Sequence, residues 1–149
     1  MPLRGLLNSS LLEAGGFRQV ADPYTGALVV TIPAIRPDWA VVHVHECDAE
    51  GNSWIDGSRY DDVLLAMAAG RVLVTCEKIV GRDRFVEAPQ RAAFPGFMVE
   101  AVAEAPGGAR PTSCGGLYAY DRAFLTAYLA AAGDDAQYRR FLITQVCNL

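Results

Sequence analysis

The chain has 149 residues, of which 52% are hydrophobic and 20% are charged. This apolar share can fill a sizeable core and excludes a disordered chain. The formal net charge is -4, and acidic and basic residues are interspersed without a basic stripe, which excludes a nucleic acid backbone as ligand.

The first 26 residues contain paired glycines and the turn-forming sequence Asp-Pro-Tyr-Thr-Gly, and they predict mostly irregular chain with at most one short helix. The β-branched run at residues 28–32 predicts a buried strand that stops at Pro33. Residues 39–45 predict a second strand, apolar enough to be covered on both faces. A polar loop follows at residues 48–52.

Residues 60–69 predict a short helix, because Asp61 and Asp62 suit its amino end and Gly70 ends it. Residues 71–76 return to strand character. A strand, a loop, a helix and a strand in succession are typical of a parallel crossover unit. We therefore predict an α/β fold with an open, mostly parallel sheet and flanking helices, formed by residues 1–149 as a single domain.

The second half of the chain predicts one more strand, at residues 97–102, and a turn-rich loop at residues 106–111. Two helices close the chain. Asp121 can cap a helix that extends to Leu129, and Asp134 or Asp135 can begin a second one that extends to Val146.

Four cysteines lie far apart without a CxxC pair: Cys47, Cys76, Cys114 and Cys147. This spacing does not fit a zinc site and predicts free thiols in a reducing compartment. No segment reaches the roughly 18 consecutive apolar residues of a membrane span, and the amino terminus lacks the zones of a signal peptide. We expect a cytoplasmic protein.

Residues 43–48 gather two imidazoles, two carboxylates and a thiol where a predicted strand meets its loop. Since residues alternate faces along a strand, His43 and His45 share one side and Glu46 and Asp48 the other, which disfavours a metal site. One alternative is a core or interface histidine with solvated carboxylates. Another is proton transfer by Glu46 or His45, because carboxyl ends of parallel strands face the ligand crevice.

Glu77 follows the strand that ends at Cys76, so it can point into the same crevice or pair with Lys78 or an arginine. The loop at residues 106–116 offers amides, hydroxyls, a guanidinium and a thiol. It can bind a phosphate or a carboxylate, or be an ordinary turn, and it lacks the lysine and spacing of a P-loop. Cys114 would need a base and a lowered pKa to act as a nucleophile.

Three stretches together carry a family resemblance. The first is the turn at residues 22–26 with the following strand and the segment Pro-Ala-Ile-Arg-Pro-Asp. The second consists of His43, Asp48, Gly51 and Asn52, and it is followed by Tyr60-Asp61-Asp62 and Glu77-Lys78-Ile79-Val80. The third runs from Val102 to Cys114 and continues with Tyr118 and Asp121. In this order they resemble the alpha subunit of class I coenzyme A transferases, the glutaconate CoA-transferase type, over residues 1 to about 129.

This resemblance implies an open α/β fold whose active site lies between an alpha-like and a beta-like half and accepts an acyl-CoA. The exchange in such transferases passes through a glutamyl thioester, and in the glutaconate type that glutamate belongs to the other half. Coenzyme A is then a moiety of the substrate, and we expect no cofactor and no metal.

We predict His43 and Glu46 as catalytic residues. The residues predicted to bind substrate are Asn52, Glu77, Thr112, Ser113 and Cys114.

Two departures from the family pattern alter these expectations. Residues 1–4 resemble the middle of a full alpha subunit, which implies its carboxy-terminal half only, from a truncated or split subunit. The sheet edge left open predicts a partner, either a beta-type subunit or the missing amino-terminal half, in an oligomer. Glu46 stands where the family more often has a basic or amide residue, and Cys47 where it has alanine, so the substrate or chemistry can differ.

Three functions follow from these patterns. The first is a CoA-transferase-type subunit that acts on an acyl-CoA thioester and completes its active site with a partner chain. The second is a hydrolase or carbon-carbon bond-cleaving enzyme for a CoA-linked or small keto acid, with Glu46 or Glu77 acting on water or substrate. The third is a non-catalytic acyl-CoA-binding or scaffolding subunit that kept the fold.

Overall fold

The computed structural model describes residues 2, 3 and 5–145. Two compact units are present, residues 1–36 and residues 37–149. They are described separately below. The expectation of a single domain over residues 1–149 stays a prediction.

The first unit contains a three-stranded antiparallel sheet. Its elements are β1 (Pro2–Leu3), α1 (Leu11–Ala14), β2 (Arg18–Ala21) and β3 (Leu28–Thr31), with the strand order β1-β3-β2. The turn at residues 22–26 joins β2 to β3, and the Asp22 side chain accepts hydrogen bonds from the amides of Tyr24 and Thr25. The prediction of β3 is confirmed, whereas β2 was not predicted because its four residues are all exposed and show no apolar alternation.

The second unit is built on a five-stranded sheet with the order β7-β5-β4-β6-β8. Its elements are β4 (Trp39–Cys47), β5 (Ser53–Trp54), α2 (Asp62–Ala68), β6 (Arg71–Ile79), α3 (Asp83–Glu87), β7 (Ala92–Phe94), β8 (Ala101–Glu104), α4 (Arg122–Ala131) and α5 (Asp135–Gln145). β4, β6 and β8 pair in parallel, and β5 is antiparallel to both β4 and β7, so four of the five strands run in the same direction. The predicted mostly parallel α/β fold is confirmed.

The core of this unit lies on one face of the paired strands β4 and β6. Ala40, Val42 and Val44 alternate with more exposed residues along β4, and Val72 and Val74 do the same along β6. Ala66 of α2 packs into the same cluster. Because side chains alternate between faces, the opposite face of both strands is left for His43, Thr75 and Glu77.

In the second unit β5, α3 and β7 were missed, and one strand was misplaced. β5, α3 and β7 have two, five and three residues, too few for a periodic pattern to be visible. The strand predicted at residues 97–102 begins only at Ala101, because Gly96–Met98 forms a 3-10 helix.

The two closing helices begin as predicted. The Asp121 carboxylate accepts a hydrogen bond from the amide of Phe124 at 2.9 Å, and the Asp134 carboxylate accepts one from Gln137 at 2.8 Å. Val146 and Cys147 lie outside the described residues. α5, with 11 residues, is the longest helix in the described part of the chain, and no helix there is long and apolar enough to cross a membrane.

The turn after β4 is fixed by a buried carboxylate. Asp48 is 2% exposed and accepts hydrogen bonds from the amides of Glu50 and Asn52 at 3.0 and 2.9 Å and from the Asn52 side chain at 2.7 Å. The Asn52 side-chain oxygen in turn accepts from the amide of Gly96 at 2.9 Å. A Cβ at Gly96 would collide with the carbonyl oxygen of Glu50, so only glycine allows this close approach.

Replacing Asp48 with alanine should lower the free energy of unfolding by roughly 2 to 3 kcal/mol, because three donors lose a buried, charged acceptor. Urea unfolding measures the change. Glu50→Ala is the control, since the Glu50 side chain is mostly exposed in an ion pair with Arg82 and such pairs contribute little. Equal losses for the two variants would contradict this account of the turn.

Candidate active site

The pairing of β4 with β6 places His43 next to two polar side chains of β6. His43 is in register with Thr75, and its Nδ1 lies 2.9 Å from the Thr75 hydroxyl oxygen. Its Nε2 lies 2.8 Å from the Glu77 carboxylate, and the two side chains are only 14% and 11% exposed. Because an ionised carboxylate only accepts hydrogen bonds, Nε2 is the donor in this pair.

Glu77 is held by two further donors from the loop after β8. The amide of Gly107 donates to one carboxylate oxygen at 2.7 Å, and the Tyr118 hydroxyl donates to the other at 2.5 Å. Partial burial acts to raise the pKa of Glu77, but the hydrogen bonds from Tyr118, Gly107 and His43 outweigh it and lower that pKa below its ordinary value. The Glu77 carboxylate is therefore ionised at neutral pH.

The loop reaches His43 closely because residue 108 is a glycine. A Cβ on Gly108 would lie 2.8 Å from the carbonyl oxygen of Ala105 and 2.8 Å from Cε1 of His43. The Tyr118 hydroxyl accepts a hydrogen bond from the amide of Ala109 at 3.0 Å, which ties the far end of the loop to its start. The loop thus covers the His43–Glu77 pair.

A cleft of 470 Å³ opens beside this pair. Its walls include His43, His45, Asp56, Ser113, Cys114, Gly115 and Gly116. His45 Nε2 donates to the carbonyl oxygen of Gly115 at 2.8 Å, and its Nδ1 accepts from the amide of Asp56 at 3.3 Å. The cleft therefore lies between the carboxyl end of β4 and the loop that follows β8.

Cys114 is a poor nucleophile in this setting. Its Sγ lies 3.5 Å from His45 Nε2. Burial, and then the negative charge of Glu77, raises the pKa of the Cys114 thiol above its ordinary value. The thiol is therefore protonated at neutral pH and does not attack as a thiolate.

The cleft also contains donors that are free to bind a ligand. Within residues 2, 3 and 5–145, the Ser113 hydroxyl and the amides of Gly115 and Gly116 donate to no protein group. Thr112 differs from Ser113, because its hydroxyl donates to the carbonyl oxygen of Ala109 and it does not line the cleft. Free donors of this kind suit a carbonyl oxygen, an oxyanion or a carboxylate.

Glu46 and Asn52 lie apart from this cluster. The Glu46 carboxylate accepts two hydrogen bonds from Arg84, at 2.6 and 3.2 Å, and lines a neighbouring cleft of 420 Å³ with Trp54 and Lys78. The Asn52 side chain is hydrogen-bonded within the turn, to the Asp48 carboxylate and to the amide of Gly96. Of the residues predicted as site residues, the structure brings together His43, Glu77, Ser113 and Cys114.

Three possible metal-ligand atoms are close enough together to bind a cation. They belong to His43, Glu77 and Cys114 and lie within 4.8 Å of one another. These are not the metal ligands considered from the sequence, which lay within residues 43–48. In the structure Glu46 pairs with Arg84, and Asp48 accepts the hydrogen bonds of the turn after β4. His43 Nε2 and the Glu77 carboxylate are already joined by a hydrogen bond, so a cation would have to break it.

Thr75 and Gly107 were missed as partners of the site, and Tyr118 was noted only as part of a motif. A threonine in an apolar strand, two residues before Glu77, was an available signal, because such residues share a face. The contact of Tyr118 with Glu77 spans 41 residues of sequence, and no local pattern indicates it.

Comparison with known proteins identifies the family. A sequence model described as Coenzyme A transferase matches residues 6–105. The chain is 37% identical to a glutaconate CoA-transferase subunit of Acidaminococcus fermentans over 113 residues, which are 75% of this chain and 35% of that protein. It is 33% identical to the cholesterol ring-cleaving hydrolase IpdA subunit of Mycobacterium tuberculosis over 154 aligned positions, covering 97% of this chain and 53% of that protein.

A solved structure agrees with this assignment. The crystal structure of glutaconate coenzyme A-transferase from Acidaminococcus fermentans matches with a TM-score of 0.92 and 29% identity, covering 100% of this chain and 52% of that chain. The protein therefore belongs to the coenzyme A transferase family. Within it, the chain is of the class I alpha-subunit type, and it spans between about a third and half of the length of these relatives.

Replacing Glu77 with glutamine should change how stability depends on pH. Because the folded-state pKa lies below the unfolded value of about 4.3, ionised Glu77 stabilises the fold above that pH, and its contribution is lost as the pH falls through the folded-state pKa. The difference in unfolding free energy between the parent chain and Glu77→Gln should be constant near neutral pH and shrink on acidification below about pH 5. Urea unfolding at stepped pH measures it, with Glu13→Gln as a control for loss of an exposed charge. A difference that stays constant into the acid range would contradict the account.

Replacing Gly108 with alanine should displace the His43 ring, because the new methyl group has no room between His43 and the Ala105 carbonyl oxygen. The measurement is the imidazole nitrogen NMR spectrum, in which the His43 signals should move more than those of His45. Gly81→Ala is the matched control, since nothing lies within 4 Å of a Cβ there. Unchanged His43 signals in Gly108→Ala would contradict the described packing of the loop.

Proposed function

We propose that the chain is part of an alpha-type subunit of a CoA-transferase that acts on an acyl-CoA thioester in the cytoplasm and completes its active site with a second polypeptide. The observation that carries this proposal is the state of the Glu77 carboxylate, which accepts hydrogen bonds from Gly107, Tyr118 and His43. A carboxylate bound in this way is ionised but a weaker nucleophile, because three of its roughly four lone-pair sites accept hydrogen bonds. It suits a positioning role.

The reaction needs a carboxylate that attacks the thioester carbon, expels the coenzyme A thiolate and forms an acyl anhydride. The thiolate then attacks the glutamyl carbonyl of that anhydride, which gives a glutamyl thioester and releases the acyl group as its free carboxylate. We assign the attacking carboxylate to the partner chain. This chain would supply the wall of the acyl pocket, where the Ser113 hydroxyl and the amides of Gly115 and Gly116 donate to the developing oxyanion or to a substrate carboxylate.

His43 and Glu46 remain predictions as catalytic residues. Both ring nitrogens of His43 already have partners, so the geometry favours positioning of the cleft wall over proton transfer. The ion pair of Glu46 with Arg84 favours a role in the neighbouring cleft.

Exposed apolar residues and an open sheet edge support a partner chain. β8 forms one edge of the five-stranded sheet, and three of its four residues are exposed. Phe97 is 90% exposed and Leu129 72% exposed, which is unusual for large apolar side chains. A beta-type subunit or the amino-terminal half of the alpha subunit would cover such surface.

A second candidate is hydrolysis or carbon-carbon bond cleavage of a CoA-linked substrate. It is favoured by the match to the IpdA protein, which covers 97% of this chain, against 75% for the glutaconate CoA-transferase match. In that case water attacks the substrate, and coenzyme A is not transferred to a second acid.

The test is to reconstitute the chain with a beta-type subunit and the missing half and to measure transfer of coenzyme A from acetyl-CoA to glutaconate. Ser113→Ala should lower kcat/KM by about 10-fold or more, because one donor to the oxyanion or to the substrate is lost. Thr126→Ala is the control, since the Thr126 hydroxyl is exposed and donates to a carbonyl oxygen of α4.

Transfer that requires the partner and falls in Ser113→Ala would support the proposal. Release of free coenzyme A and acid without transfer would favour the second candidate. Binding of acyl-CoA without turnover under every partner condition would contradict both and favour a non-catalytic subunit.

A further inference from the structure

A third cleft, which is positively charged, lies next to the candidate active site. It has a volume of 560 Å³ and is lined by Arg59, Arg84 and Arg91 together with Trp54, Asp56 and Gln90. The chain as a whole is acidic, with a net charge of -4. Three guanidinium groups in one cleft are therefore a local reversal of the protein's overall charge.

The three arginines are held in place by contacts that leave donors unused. The guanidinium carbons of Arg84 and Arg91 lie over the Trp54 ring, 4.9 and 4.5 Å from its centroid. Arg59 donates from Nη2 to the carbonyl oxygen of Arg91 at 3.0 Å. Stacking on an indole orients a guanidinium and leaves its N–H donors available, so the arginines of this cleft can bind an anion.

Charge balance within the described part of the chain also points to an anionic ligand. Arg84 is paired with Glu46, but neither Arg59 nor Arg91 has a carboxylate partner within 4.0 Å in residues 2, 3 and 5–145. Asp56 is the carboxylate that lines this cleft. Two uncompensated guanidinium groups match a phosphate ester, which carries more charge than a carboxylate and accepts paired N–H donors.

The positive cleft adjoins the candidate active site. Ile55, Asp56 and Gly57 line both this cleft and the one that contains His43 and Cys114. A ligand can therefore have its reacting end beside His43 and a charged end among the arginines. Coenzyme A has this form, because a long pantetheine arm separates its thiol from a diphosphate and a ribose phosphate.

We propose that the cleft formed by Arg59, Arg84 and Arg91 around Trp54 binds the phosphate groups of coenzyme A. This inference rests on the proposed function for the identity of the ligand. Arg59 and Arg91 supply the free charge, Trp54 orients Arg84 and Arg91, and Glu46 fixes Arg84 from the other side.

The experiment is calorimetric titration of the chain, alone and in the reconstituted complex, with four probes: coenzyme A, dephospho-coenzyme A, pantetheine and inorganic phosphate. Arg91→Ala and Arg59→Ala should each weaken coenzyme A binding by about 10-fold or more, the usual effect of losing a charged hydrogen bond. Pantetheine, which has no phosphate, should bind equally to all variants. Arg91→Lys keeps the charge without the planar fork and should show a smaller loss than Arg91→Ala.

Arg71→Ala is the matched control. Arg71 also lies over an indole, that of Trp39 at 4.8 Å, but it pairs with Glu100 and does not line the cleft. Its loss should leave coenzyme A binding unchanged.

Four results would overturn the proposal. The first two are no binding of coenzyme A, and equal affinity of the parent chain and the Arg59 and Arg91 variants for coenzyme A. The other two are an equal loss of coenzyme A affinity in Arg71→Ala, and a loss in the Arg59 and Arg91 variants of inorganic phosphate binding alone, which would identify a site for free phosphate. The proposed function can fail separately. Arginine-dependent coenzyme A binding without transfer would retain this inference and reject the transferase. Transfer with an unchanged KM for the CoA ester in Arg59→Ala and Arg91→Ala would retain the transferase and reject this inference.

Discussion

The candidate active site depends on the parallel pairing of β4 with β6. That register brings His43 beside Thr75 and within hydrogen-bond distance of Glu77, although the strands are separated by a loop, β5 and α2. The core residues on the opposite face of the same strands fix the register, because a slip by one residue would move His43 into the core. The burial of Val42, Val44 and Val74 therefore determines where the polar cluster lies.

Glu77 connects this sheet to the loop that covers it. One carboxylate oxygen accepts from His43 Nε2 and the Tyr118 hydroxyl, and the other accepts from the amide of Gly107, so the loop is held by an ionised group of β6. The same contacts that position Glu77 occupy most of its lone-pair sites, which disfavours its attack on a thioester. Cys114 is similarly unsuited, because its thiol is protonated. Under the proposed function, this surface binds and orients the substrate, and another chain supplies the attacking group.

The sequence predicted those parts of the structure whose signal is local. β3, β4, β6 and α2 are apolar runs bounded by proline, glycine or aspartate. The position of Glu77 near the carboxyl end of β6 followed from the apolar run at residues 71–76, although the strand continues to Ile79. β2 and β5 lack any apolar pattern and form only because neighbouring strands pair with them. The bond of Glu46 to Arg84 and that of Tyr118 to Glu77 cross 38 and 41 residues, distances over which sequence spacing carries no geometric information. Asn52 belongs to the family pattern, but its side chain holds the turn.

Under the proposed function, the nucleophile of the reaction lies outside residues 2, 3 and 5–145. The most direct measurement is to incubate the reconstituted complex with acyl-CoA, reduce any glutamyl thioester with borohydride and locate the modified residue by peptide mass spectrometry. We predict that the modified glutamate belongs to the partner chain and that Glu46 and Glu77 are unmodified. Modification of Glu46, Glu77 or Cys114 would contradict the claim, because the chain would then contain its own nucleophile.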